Sequence, residues 1–174
     1  MAQEDQQKKP HHREDLTGEH LVGDAGQIVL AILFLAAWIG DTFFFEYTTF
    51  LNRYAPLFAR IPLGAALIVL SGYLAAKSHS IVFGEERETP GVIRKGVYNH
   101  ARHPMYLSEI LLYLGLLIMS ISLAAAVAWI ATIAFLCYIS RYEEKLLLKR
   151  FGEEYGQYMR EVPMWLPRLR KSKD

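Results

Sequence analysis

Residues 96–106 read GVYNHARHPMY, and the chain then turns apolar over residues 107–119. A segment about to enter a bilayer has reason to become greasy, but none to gather an imidazole and a guanidinium beside a proline suited to the first turn of a helix. Residues 141–144, Arg-Tyr-Glu-Glu, stand just past the next apolar run, 123–139, and only Ser120, Ile121 and Ser122 separate the two runs. So short a link suits an antiparallel helical hairpin, which would bring both polar clusters to one membrane surface. The expected fold is therefore an all-α integral membrane protein whose last two helices form a tight hairpin.

Working outward, residues 26–45 and 61–83 are two longer apolar stretches. At about 1.5 Å per residue each reaches roughly 30 Å, the thickness of the hydrocarbon layer. Four transmembrane helices are expected, the last two shorter at roughly 22–26 Å. The fourth should continue past residue 139 as an amphipathic C-terminal helix. Its stripe of Leu147, Phe151, Tyr155 and Tyr158 would lie on the interface or against the preceding loop. Composition agrees: 52% of the 174 residues are hydrophobic, and the charged residues sit mainly in tails and loops. A net charge of +1 gives no reason to expect nucleic acid, and the single cysteine, Cys137, excludes an intrachain disulfide.

Of the 19 lysines and arginines, all but Arg53 and Arg60 fall in the N-terminal tail, the second loop or the C-terminal segment. With four crossings, that bias sets both termini and both polar clusters in the cytoplasm. Residues 1–24 are polar and mixed in charge, and are expected to be a poorly ordered tail without a cleavable signal peptide. The membrane domain is then 25–174. Gly84, Thr89-Pro90-Gly91 and Gly96 turn the second loop repeatedly over the cytoplasmic face.

Each cluster has a bland reading. Arg102 could be a positive-inside charge, Pro104 a first-turn proline and Tyr106 an interfacial aromatic. The acids weigh against it. Glu143 and Glu144 stand where only cations are asked for, and neither has a lysine or arginine three or four residues on to pair with. Two carboxylates facing Arg102 and His103 suit a zwitterionic ligand, the acids holding an ammonium and the guanidinium a carboxylate. His100 and His103 are three apart, but no third His or Cys stands near them, so no metal site is expected. Asp41 is expected at the outer interface; Lys77 and His79 are expected to snorkel or to line the cleft. Gly64, Ala65, Gly72, Ala75 and Ala76 suggest close helix packing.

Gly96 and Tyr98, Arg102-His103-Pro104 and Tyr106, Glu143-Glu144 and Leu147, Phe151-Gly152 and Tyr155, and Val162-Pro163 form one ordered pattern. It resembles the isoprenylcysteine carboxyl methyltransferase and phospholipid methyltransferase family of integral-membrane enzymes, over roughly residues 84–167. The resemblance implies methyl transfer from S-adenosyl-L-methionine, bound at the cytoplasmic side within about residues 77–167. The acceptor would be lipophilic or prenylated and enter from the membrane lipids, an isoprenylcysteine-type carboxylate being the foremost class. Pro90, Gly91, Val92 and Ile93, then Tyr98, His103, Pro104, Met105 and Tyr106, fall on the family's cofactor-contacting segments, and Glu143 and Glu144 on its paired acids. Arg102, His103 and Glu143 are the expected catalytic groups. Arg141 is the expected substrate-binding group, although it precedes Glu143 by only two residues where the carboxyl methyltransferases leave about a turn.

Such a transfer needs the nucleophile in line with the S–CH3 bond at about 3–3.5 Å in a water-poor pocket. An anionic acceptor needs no base; for an amine or phenol, His103 or Glu143 could take the proton. None of the twelve glycines makes a G-x-G pair, which disfavours a soluble dinucleotide-type fold. Two rivals stay open. One is a nicotinamide-dependent membrane reductase like the steroid reductases, for which Arg94, Lys95 and Arg102 offer few phosphate-binding cations. The other is a non-enzymatic adaptor whose basic loops bind anionic headgroups.

Overall fold

A computed structural model describes residues 21–84 and 91–165 of the chain. Residues 1–20 of the expected tail, Pro90, and everything after Trp165 lie outside the described residues. The described residues form helices and turns with no strand: α1 (Leu21–Ile39), α2 (Leu57–Phe83), α3 (Pro104–Ser120) and α4 (Leu123–Glu161). A π-helical turn, Gly40–Phe45, prolongs α1, and single 3-10 turns occupy Phe50–Arg53 and Gly96–Asn99. Three of the apolar segments, Gly23–Phe45, Leu57–Phe83 and Leu123–Glu161, are long and apolar enough to cross a membrane; Pro104–Ser120 is apolar but shorter.

The helices run up and down between two ends, each tied by polar contacts. At one end Asp41 accepts hydrogen bonds from the Thr48 backbone N–H at 2.9 Å, from the Ser122 hydroxyl at 2.5 Å and from the Thr48 hydroxyl. Ser122 in turn caps α4 by accepting the Ala125 N–H at 3.1 Å. Arg60 closes the same end, donating to Asn52 and, at 3.1 Å, to the Met119 carbonyl. Asp41, at the end of its helix, is 6% exposed and knots that end of α1 to the start of α4. Ile121, in the left-handed region at φ 45°, lets α3 stop and α4 begin within two residues.

The hairpin exists, but it is not the main packing unit. α3 packs most extensively on α2, and α4 on α1. Gly64 and Gly115 explain the closeness of the first pair: a Cβ on Gly115 would stand 2.8 Å from the Gly64 carbonyl oxygen, and one on Gly64 would stand 2.6 Å from that of Gly115. Gly72 has open space around it and plays no such part. Across the other pairs, Phe34 stacks on Tyr113 at 4.2 Å, and the Trp38 and Trp129 indoles donate to the Leu116 and Ile110 carbonyls.

The helix continuing past residue 139 is interrupted at Gly152, where φ is 54° and ψ is −129°. Only glycine adopts that conformation readily. The chain bends there, and Tyr155, Tyr158 and Val162 pack with Val92, Leu147, Phe151 and Met159. The aromatic stripe therefore faces the 91–103 loop. The Tyr158 hydroxyl donates to the Tyr98 carbonyl at 2.6 Å, and Arg94 spans from the Tyr158 ring to Glu161 at 3.1 Å. Gly152→Ala is expected to cost about 1–3 kcal/mol by forcing a Cβ into this region, seen as a lowered melting temperature in detergent; an unchanged melt would show that the bend carries no strain.

Candidate active site

The end of the bundle opposite Asp41 is organised by Arg102. Its Nε donates to Glu144 at 2.7 Å, and its Nη1 donates to the Met159 carbonyl at 2.9 Å and the Val162 carbonyl at 2.5 Å. The backbone N–H groups of Arg102 and His103 add bonds to the carbonyls of Pro163 and Met164. One side chain thus holds the α3 entrance, the middle of α4 and the residues beyond its bend together. Glu144 is 4% exposed, and burying this pair is tolerable because the guanidinium also satisfies two carbonyls.

His103 lies between the two acids, Nε2 at 3.3 Å from Glu144 and Nδ1 at 3.5 Å from Glu143, with its ring parallel to that of Tyr106. The Tyr106 hydroxyl donates to Glu143. Burial alone would push the His103 imidazole down, but its hydrogen bonds to Glu143 and Glu144 and their charge more than offset this, and its pKa is raised above the ordinary value. A raised folded pKa gives stability that is full below the unfolded value of about 6.5 and is lost as pH rises through the folded one. The melting temperature is therefore expected to fall over that alkaline-going window, and His103→Gln to flatten the fall; equal slopes in the two proteins would contradict the ionised contact.

These groups border a cavity of about 500 Å3, within the range of small-molecule sites. Of the residues singled out in the sequence, Gly91, Val92 and Ile93, Tyr98, Arg102 and His103, Met105 and Tyr106, and Glu143 line it. Glu144 and Pro104 are buried and do not reach the lining; Arg141 is exposed and points elsewhere, as do Lys77 and His79. The twin acids have parted company. Glu144 is locked behind the wall by Arg102, while Glu143 opens on the cavity. The expected guanidinium for a ligand carboxylate is therefore largely spent inside the protein, because Nε and Nη1 are engaged within the fold.

Other lining groups lie outside the sequence pattern. Asp24 and Gln27 come from the first turns of α1, Phe83 from the end of α2 and Glu109 from α3. Asp24 falls within the expected tail by sequence, whereas α1 already begins at Leu21. Glu109 carried its own signal, an acid inside an apolar run. Among the described lining residues, Asp24, Glu109 and Glu143 face only Arg102 and His103 as basic groups, and both of those contact acids. Such a lining attracts a cation and repels an anion.

The profile of the phospholipid methyltransferase family matches residues 59–154, more than half of the chain. The chain belongs to that family. Among curated proteins, this phospholipid methyltransferase family member is 29% identical over 147 residues to methanethiol S-methyltransferase of Crocosphaera subtropica, covering 84% of the chain and 49% of that protein. It is 32% identical over 88 residues to protein-S-isoprenylcysteine O-methyltransferase of Homo sapiens, covering 50% of the chain and 31% of that protein. The chain thus spans half or less of the length of these relatives, and no solved structure matches it. Family membership and the three long apolar helices together make this an integral membrane protein of a methyltransferase family.

Proposed function

We propose that the protein transfers a methyl group from S-adenosyl-L-methionine to a lipophilic acceptor reaching the cavity from the membrane. The observation that carries this reading is the acid-rich cavity walled by the family's own motif residues. S-adenosyl-L-methionine supplies an electrophilic methyl on a sulfonium and brings an ammonium besides. Glu143 retains acceptor capacity beyond its contacts with Tyr106 and His103, and so would hold the ammonium. Tyr98, Phe151, Tyr155 and Tyr158 make part of the lining aromatic, which suits an aromatic base, and Gly91 to Ile93 border the same space. Arg102 and Glu144 position these walls, Glu144 from behind the lining and Arg102 from within it. His103 sits between both acids and fixes the Glu143 carboxylate. A nicotinamide dinucleotide phosphate suits this lining poorly, since its phosphates would meet carboxylates.

We read α3 as a fourth crossing, because it joins the same two ends as its neighbours, and the chain past Gly152 as lying over the cytoplasmic surface with both termini on that side. The isoprenylcysteine-type carboxylate stays as a second reading of the acceptor, favoured by the likeness to the human enzyme. Arg141, the group expected to hold it, does not line the cavity. Incubating the full-length protein with methyl-labelled cofactor and a native lipid extract tests the proposal. Label is expected in an apolar species and identifies it; a protein that binds no cofactor and labels nothing would refute the reading.

A further inference from the structure

Glu109 lies five residues past Pro104, roughly 7 Å along the axis of an otherwise apolar helix. It is half-buried, lines the cavity, and pairs with no basic side chain among the described residues. Tyr113 stands one turn further on, and its ring is the one stacked on Phe34 of α1. A carboxylate without a basic partner keeps acceptor sites to offer a ligand. Acids inside membrane helices are costly and are kept for a role.

Its position says what it would meet. Met105, Glu109 and Leu112 share one face of α3, and Met105 and Leu112 are 39% and 36% exposed. Asp24 and Gln27 of α1 and Phe83 of α2 line the same cavity, yet α1 packs chiefly on α4 and α2 on α3. That face of α3 therefore borders a side opening between α1 and α2. An apolar molecule entering there would bring its head past Glu109 before reaching His103 and Glu143.

We propose that Glu109 binds the head of the methyl acceptor and takes its proton, so that the acceptor carries an S–H or N–H group and not a preformed carboxylate. The inference rests on the methyl-transfer reading of the cavity. The acceptor's X–H bond, X being sulfur or nitrogen, breaks and its proton passes to a Glu109 oxygen. The pair left on X forms the bond to the methyl carbon, and the pair of the broken S–CH3 bond stays on the sulfur of the donor. A carboxylate acceptor would instead face Asp24, Glu109 and Glu143 as like charges.

Calorimetry on the full-length protein in detergent, first with S-adenosylhomocysteine and then in its presence with 1-decylamine, 1-decanethiol or decanoate, tests this. The amine or the thiol is expected to bind at least about tenfold more tightly than decanoate, and Glu109→Gln to shrink that difference severalfold while S-adenosylhomocysteine affinity stays within about twofold. Label incorporation into a native lipid extract should fall about 10²–10⁴-fold in Glu109→Gln and lose the acidic limb of its pH profile. If Glu109→Gln does not fold, Glu109→Asp carries the test, with incorporation down about tenfold at unchanged S-adenosylhomocysteine affinity. Decanoate binding as tightly as the others, or a Glu109 variant with wild-type incorporation and pH profile, overturns the role of Glu109 and leaves the methyl-transfer reading standing. A wild-type protein that binds no S-adenosylhomocysteine overturns both.

Discussion

Arg102→Ala is expected to cost about 3–5 kcal/mol and to loosen the whole cavity end, the range seen when one partner of a buried ion pair is removed. The loss is large because the guanidinium serves three elements. Without it Glu144, at 4% exposure, is left with His103 as its basic partner, and the Met159 and Val162 carbonyls lose a donor. Lysine should recover little, since a single ammonium cannot reproduce the fork that reaches a carboxylate and two carbonyls. Limited proteolysis near Gly152, together with the melting temperature in detergent, measures the effect. A variant that melts like the wild type and resists cleavage equally would mean that Arg102 is not the tie described here.

Glu143→Gln should behave differently. Glu143 opens on the cavity, so its replacement is expected to leave the melting temperature within a few degrees while weakening S-adenosylhomocysteine binding about 10- to 100-fold. That range corresponds to losing one hydrogen bond to a charged group, about 1.5–3 kcal/mol. Glu144→Gln should show the reverse emphasis, with the melt falling first and affinity falling because the wall has moved. Equal behaviour of the two variants would contradict the division of labour between the acids.

Much of the architecture is legible in the sequence because a bilayer forces segregation. Apolar runs must be helices, and the two-residue link between α3 and α4 leaves one way to fold back. The same constraint brings residues 102–106 and 143–144 to one end. The fate of each acid is less legible. Whether Glu143 or Glu144 meets Arg102 depends on a rotation of about 100° around α4, and adjacent residues give no periodic signal for it. The clasp of Arg102 on Met159 and Val162 depends on the bend at Gly152. An isolated glycine in a helical pattern marks such a bend only weakly. Arg141 is near Glu143 in the chain, yet it stays out of the cavity lining because a residue two positions before Glu143 lies on another side of the helix. Gly72 and Gly64 look alike in sequence, and only the crossing of α2 with α3 separates them.

The most direct test of the central claim is a calorimetric titration of the purified full-length protein with S-adenosylhomocysteine and, separately, with NADPH. One equivalent of S-adenosylhomocysteine binding at micromolar levels, weakened by Glu143→Gln and with no heat from NADPH, is the result this account predicts. Silence with S-adenosylhomocysteine, or saturable binding of NADPH in its place, would contradict it.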